Sequence, residues 1–480
     1  MPNPVYERLV QRTELTIDHF LTQFSDRVIN GEGSLFLGTG VSRNSGFPSW
    51  AELLTPCATD LGISLDSSAD LYAIAQYYVN KYSDSELRRI VSNRINLPLH
   101  GNSLLDQLLE INFNSIWTTN YDRLIESSLG KKNILYNAVY NDMNLTSISR
   151  HDKVNIFKIN GDITDPLNMV LTKNDYEKYS QRHPLFLTFL KRELVSNSFL
   201  FVGYSFTDAV VLDCLSMIND FLGQAGSNHY ALMMIDQSVT PQFEHFIADL
   251  DRRFNIKCIL VEKDNIPVII SRLIRRIRER KVFISGAFFN ISKEEENFAD
   301  SISLELVSHL LNSGYRISTG VGKKLGTYIT GYAHQYLAER SISSPAKYLS
   351  MRPFPFHLEL DNQKRIAYRT IMEHDCSAAI FLYGQSESTA QRRLEGKSDH
   401  YSEGVYQEFQ IAKQLGLKII PIGATGYEAE IIWSEVKDNI NEYYYLSKVI
   451  DQLKNESSSQ RLARIIISIL DDISRNQAIN

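Results

Sequence analysis

Short apolar runs, each ending in small or polar residues, recur through the first half of the chain: "SLFLGTG", "SIWTTN" (115–120), "NIFKIN" (155–160) and "SFLFVGYSF" (198–206), then "HYALMMID" and "IKCILVE". Helical spacing fills the intervals, and buried strands alternating with helices predict a parallel α/β sheet. One amphipathic helix over about residues 5–29 is expected before the first strand. Later, Ile269, Ile270, Leu273, Ile274 and Ile277 in "VIISRLIRRIRERK" share a helical face, and the strand "KVFISG" follows at once. That places a domain boundary near residue 280. The second half repeats the logic. "SKEEENFADSISLELVSHLLNSG" carries a capping box, Ser292 with Glu295, a stripe of Phe298, Ile302, Leu306 and Leu310, and a stop at Gly314. Strands "YRIST", "AAIFLYG" and "KIIPIGA" follow, with the helix "SEGVYQEFQIAKQLG" before the last. The expected fold is α/β with two Rossmann-like domains, residues 1–280 and 281–480. The polar, aperiodic tract 384–404 within the second half is expected to be a mobile lid beside a site.

Composition narrows the function classes. A chain of 480 residues is too long for one core, and a formal charge of −6 gives no field that would gather a polyanion. The basic run "RLIRRIRERK" has a buried stripe and no interleaved aromatics, so it reads as an interdomain or subunit contact rather than a nucleic-acid patch. Cys57, Cys214, Cys258 and Cys376 form no C-x-x-C pair, which argues for reduced thiols and against a metal centre. No run of 18 apolar residues occurs and the first twenty residues lack a leader pattern, so a cytoplasmic protein with no membrane contact is expected.

The candidate chemistry collects at strand ends, where open α/β sheets bind ligands. "NIFKINGD" delivers Asn160, Gly161 and Asp162 to such an end, and Gly38, Thr39, Gly40 and Ser42 form a strand-to-helix turn suited to a pyrophosphate. Asn120, in "TTNYDRLIE", has an amide that both donates to and accepts from hydroxyls; its alternative use is to cap the following helix. The pattern Gly-x-Gly-x-Ser-x-x-x-Gly-Phe-Pro-x-Trp (38–50) resembles the cofactor loop of sirtuins, and "TTNYD" resembles their Thr-Gln-Asn strand end. "VGYSFTD" (202–208) is similar to their Gly-Thr-Ser strand end, and Asn160–Gly161 occupies the place of their His-Gly pair. The resemblance implies an NAD-binding domain with Asn120 positioning substrate, and Gly38, Thr39, Gly40, Ser42, Asp122 and Ser205 holding NAD. The zinc-binding cysteines of sirtuin deacylases are absent, which turns the reading from deacylation towards the bacterial defence branch, where NAD is cleaved to nicotinamide and ADP-ribose.

That cleavage needs an oxocarbenium-like centre stabilised and a water oriented. An asparagine amide takes no proton at neutral pH, so Asn160 replaces the general base that the family's histidine provides. His151 falls upstream on an expected loop and is a poor substitute. Two readings stay open: an NADase of reduced turnover with its catalytic position replaced, or a catalytically dead nucleotide-binding assembly module.

In the second half, Ser285, Gly286, Gly322 and Gly326 lie at strand-to-helix turns, and Arg352, Arg369 and Glu408 add groups suited to phosphate and ribose. Residue chemistry here points to a phosphate- and ribose-bearing anion. "RPFP", "IFLYG" and "IPIGATGY" resemble the SLOG domain of Thoeris antiphage effectors, which join a sirtuin-like NADase to a nucleotide sensor; "NDYEKYS" (174–180) fits as well. This implies a cyclic ADP-ribose isomer as activator, made by a TIR-domain partner and bound by those residues. It also implies NAD as substrate, no metal, and a homotetramer able to extend into filaments.

Overall fold

The computed structural model describes residues 3–11, 13–65, 69–98, 100–113, 115–148, 153–342, 345–354 and 361–477; His151 lies outside them. The chain divides into two compact units, Met1–Ile274 and Arg275–Asn480.

The first unit holds seven parallel strands: β1 (Gly33–Leu37), β2 (Ser115–Thr118), β3 (Tyr136–Val139), β4 (Val154–Lys158), β5 (Ser198–Val202), β6 (His229–Met234) and β7 (Ile256–Val261). Their order is β3-β4-β2-β1-β5-β6-β7. β1 pairs with β2 from Leu35 opposite Ile116 and with β5 from Gly33 opposite Ser198. The chain therefore leaves β1 towards one side and later returns to the other, so β1 is the switch point of the sheet. Every residue of β1, β2 and β5 is buried, which explains why these strands read as continuous apolar runs. Trp117 stacks on Phe157 with ring centroids 4.2 Å apart, fastening β2 to β4. The N-terminal segment is helical over the described residues Pro4–Gln11 and Thr13–Ile29. The edge strand β3, "YNAV", is too short and too exposed for apolar patterning to reveal it.

The second unit is a five-stranded parallel sheet of β8 (Lys281–Ala287), β9 (Arg316–Thr319), β10 (Leu349–Met351), β11 (Ala378–Tyr383) and β12 (Lys418–Pro421), ordered β10-β9-β8-β11-β12. The capping box forms as the sequence indicates: Ser292 and Glu295 exchange hydrogen bonds at the start of the helix Lys293–Asn312, and Ile302, Leu306 and Leu310 are buried. The tract 384–404 borders the cavity of this unit and contains a helix that periodicity did not indicate, Glu387–Leu394, capped by Ser386. Its far end is pinned to the wholly buried Glu428, whose carboxylate accepts from the amides of Tyr401 (2.8 Å) and Ser402 (2.9 Å). The helix "ESTAQRRL" has no apolar stripe, so polar caps and a buried acceptor shape the segment where periodicity is silent. Among the described residues, no helix is long and apolar enough to cross a membrane.

Candidate active site

The carboxyl ends of β1 and β5 cross in backbone contact. The Gly38 amide donates to the Val202 carbonyl and the Gly40 amide to the Gly203 carbonyl, both at 2.9 Å. A Cβ on Gly38 would lie 2.2 Å from the Gly203 carbonyl oxygen, so the glycine is required for close approach. β2 is tied in by Thr118, whose hydroxyl donates to the Leu37 carbonyl (2.8 Å) and accepts from the Asn120 amide (3.0 Å).

From this frame a polar chain runs across the strand ends. Asn120 Nδ2 donates to Ser42 Oγ (3.0 Å), and Ser42 Oγ donates to Asp122 Oδ2 (2.8 Å). Asp122 Oδ1 accepts from the Leu124 amide (3.0 Å) at the start of the helix Leu124–Lys131. The capping duty that competed for Asn120 thus belongs to Asp122, and Asn120 is left for the cavity. On β4's end, Asn160 Nδ2 donates to Asp208 Oδ2 (3.0 Å), which also accepts from the Tyr176 hydroxyl (3.3 Å). Asp208 Oδ1 caps the helix Ala209–Leu222.

Lys158, fully buried, lies beneath these residues. Its ammonium reaches Asp162 Oδ2 (2.6 Å), Glu126 Oε1 (3.2 Å) and the carbonyls of Tyr121 and Asp122, locking the turn that carries Asn120. Burial raises the Glu126 carboxyl. Burial acts on Asp162 in the same sense, but the lysine and the Thr164 donors outweigh it and leave that carboxyl low.

These elements enclose a cavity of about 110 Å³. Thr39, Ser42, Asn120, Asp122, Asn160 and Ser205 all line it, so the sequence-derived residues converge. Gly38 and Gly40 instead shape it through their backbone. The opposite wall is aromatic: Trp50, Tyr72 and Tyr176, with the two tyrosine rings 4.1 Å apart. Four buried polar atoms of the lining, Trp50 Nε1, Asn120 Oδ1, Asn160 Oδ1 and the Tyr204 hydroxyl, have no protein hydrogen-bond partner. Buried polar atoms rarely go unpaired, and four around one cavity mark it as built for a polar ligand. Sequence reasoning missed Tyr72, Asp208 and Lys158. Asp208 was within reach, since an aspartate directly before "AVVLDCL" is a cap signal.

A second cavity, about 570 Å³, lies in the C-terminal unit and is lined by Ser285, Gly286, Gly322, Arg369 and Glu408, together with the cationic Lys323 and Arg365. Arg369 sits over the Phe354 ring at 4.3 Å and bonds to Gln407 and Glu408; Ser285 Oγ donates to Glu408 Oε2 (2.6 Å). Arg352 and Gly326 do not line it. The Arg352 amide donates to Thr319 (3.0 Å), and the Gly326 amide donates to Gly322 (2.8 Å) as its helix begins. No group of three or more His, Cys, Asp or Glu among the described residues is placed to hold a metal ion.

Near this cavity Glu373 is wholly buried, with neither carboxyl oxygen hydrogen-bonded. Burial, with Glu408 close by, pushes its carboxyl up to about 10. A folded value above the unfolded one means that stability is full below about pH 4.3 and falls as pH rises towards 10. Glu373→Gln, neutral throughout, is therefore expected to stabilise the chain by about 2–3 kcal/mol at pH 7 and to flatten this slope. Melting curves from pH 5 to 9 check it; parallel slopes in parent and variant would refute it.

Comparison with known proteins gives a consistent pattern. A family described as SIR2-like domain matches residues 114–259, and the Sir2- and TIR-associating SLOG family matches residues 265–473. The chain is 30% identical over 472 residues to the NAD(+) hydrolase ThsA of Cytobacillus dafuensis, covering 92% of each chain. It is 29% identical over 478 residues to that of Bacillus cereus (strain MSX-D12), covering 95% of this chain and 98% of the relative. A shorter match, 27% over 188 residues, is to Defense-associated sirtuin 2 of Bacillus subtilis.

Proposed function

The chain belongs to the ThsA family of NAD(+) hydrolases, and from that premise we propose that the cavity at the ends of β1, β2, β4 and β5 takes NAD and hydrolyses its nicotinamide–ribose bond, under control of a nucleotide bound in the C-terminal unit. The observation that carries the reading is the ring of unpartnered polar atoms, Trp50 Nε1, Asn120 Oδ1, Asn160 Oδ1 and the Tyr204 hydroxyl, in a cavity with the expected pyrophosphate turn beside it. As the glycosidic bond breaks, its electron pair leaves with the nicotinamide nitrogen and the ribose carbon becomes cationic. Asn120, held through Ser42 by Asp122, presents Oδ1 to a ribose hydroxyl or the attacking water. Asn160 Oδ1 accepts a second hydrogen bond, and the half-buried aromatic wall limits bulk water.

The C-terminal cavity falls in the small-ligand range of about 300–1,000 Å³, with Arg369, Arg365 and Lys323 for phosphates and Glu408 for ribose hydroxyls. Its ligand is a cyclic ADP-ribose isomer made by a TIR-domain partner. The active form is a cytoplasmic homotetramer that extends into filaments, and the biological role is antiphage defence by NAD depletion.

The test is nicotinamide release by the full chain with each cyclic ADP-ribose isomer in turn. Asn160→His should raise turnover by roughly 10–100-fold, because imidazole is a better base near neutrality. Equal turnover in both proteins would remove position 160 from the chemistry. No release from either would leave the nucleotide-binding assembly module, the reading that an asparagine in place of a base favours.

A further inference from the structure

If the cavity hydrolyses NAD, a proton must leave the attacking water, and Asn160 cannot take it. No Lys, Arg or His is among the described residues that line the cavity, and its only carboxyls there are Asp122 and Asp208. Both are engaged through each oxygen, Asp122 by the Ser42 hydroxyl and the Leu124 amide, Asp208 by the Val210 and Val211 amides and by Asn160 and the Tyr176 hydroxyl, but of the two only Asp208 is bonded to Asn160. Asp208 lies on the other flank, where its Oδ2 is bonded to Asn160 Nδ2 at 3.0 Å, beside the unpartnered Asn160 Oδ1. We infer that Asp208 is the general base of this enzyme, with Asn160 as the group that orients the water between them. The inference rests on the hydrolysis proposed above.

In the step, one water proton is held by Asn160 Oδ1 and the other passes to the Asp208 carboxylate. The water oxygen bonds to the ribose carbon as the glycosidic electron pair departs with nicotinamide. The proton is later lost to solvent, so NAD and water give ADP-ribose, nicotinamide and one proton. Asp208 is 4% exposed, and burial raises its carboxyl above the usual range against the donors from Asn160, the helix amides and Tyr176, which makes it a stronger base than an exposed aspartate. The other titratable groups facing it are the hydroxyls of Tyr72, Tyr121, Tyr176, Tyr179 and Tyr204 and the Cys214 thiol, all displaced upward by burial and silent near pH 7.

The experiment uses the full chain with NAD and each cyclic ADP-ribose isomer in turn, reading nicotinamide release from pH 4.5 to 8.5. The parent should show an acid limb, with activity rising as Asp208 ionises. Asp208→Asn keeps a helix cap and an acceptor for Asn160 Nδ2, so melting and calorimetric NAD affinity should hold. Turnover should fall by about 10²-fold or more and the limb should vanish. Adding Asn160→His to that variant should restore turnover with a new limb near the imidazole range of about 6.5. An unchanged limb in Asp208→Asn overturns the assignment, as does a parent that is inert while Asn160→His turns over. If neither of those two releases nicotinamide, the hydrolysis reading falls and takes the base with it.

Discussion

Asn120→Ala is expected to lower nicotinamide release by about 10²–10³-fold while the chain still folds. The side chain joins two functions: Nδ2 is fixed on Ser42, which is itself held by Asp122, and Oδ1 faces the cavity unpartnered. Alanine removes an acceptor that is oriented before substrate arrives, and losses of that size follow when a preorganised polar contact to a reacting centre is deleted. Stability should change little, about 1 kcal/mol, because the Asp122 cap on the helix Leu124–Lys131 and the Thr118 bond to Leu37 are untouched. Steady-state kinetics beside a melting curve give both answers. Turnover within tenfold of the parent would strip Asn120 of its role, and a change confined to KM would make it a binding residue only.

The largest stability effect should come from Lys158→Met. This substitution keeps the buried stem and deletes the charge that neutralises Glu126 and Asp162, both of which are buried. Removing one partner of a buried ionic cluster costs about 3–5 kcal/mol, since the remaining charges stay desolvated. The sign with pH follows. Without the ammonium, burial holds both carboxyls above their unfolded values, so the variant's deficit is greatest at neutral pH and shrinks below about pH 4 as they protonate. Urea titrations at pH 7 and pH 4 test this, and a deficit independent of pH would mean that packing, not charge, is what Lys158 supplies.

Most of the sheet was legible because β1, β2 and β5 are buried throughout, and such strands read as near-continuous apolar runs. The edge strands β3 and β10 escaped because "YNAV" and "LSM" bury too little to be constrained. The helix Glu387–Leu394 escaped because caps, not a stripe, define it. Within the site, the strand-end residues Ser42, Asn120, Asp122 and Asn160 were accessible, as they follow apolar runs directly. Tyr72 was not: it reaches the cavity from the helix Leu71–Lys81, and its role is set by three-dimensional packing against Tyr176. Lys158 was hidden in a different way, since one cation inside "NIFKIN" looks like a strand's polar face until its partners from two other segments are seen.

The crossing of Gly38, Gly40 and Gly203 bears on which parts of the site can vary. A Cβ added there would meet backbone at 2.2 Å on Gly38 and 2.7 Å on Gly203, with Gly203 itself in the left-handed region at φ 64°. Neither position has room for a side chain, so the floor of the pocket is closed to remodelling by substitution, and differences in what the site accepts fall to the side chains of its walls, Trp50 and Tyr72 among them.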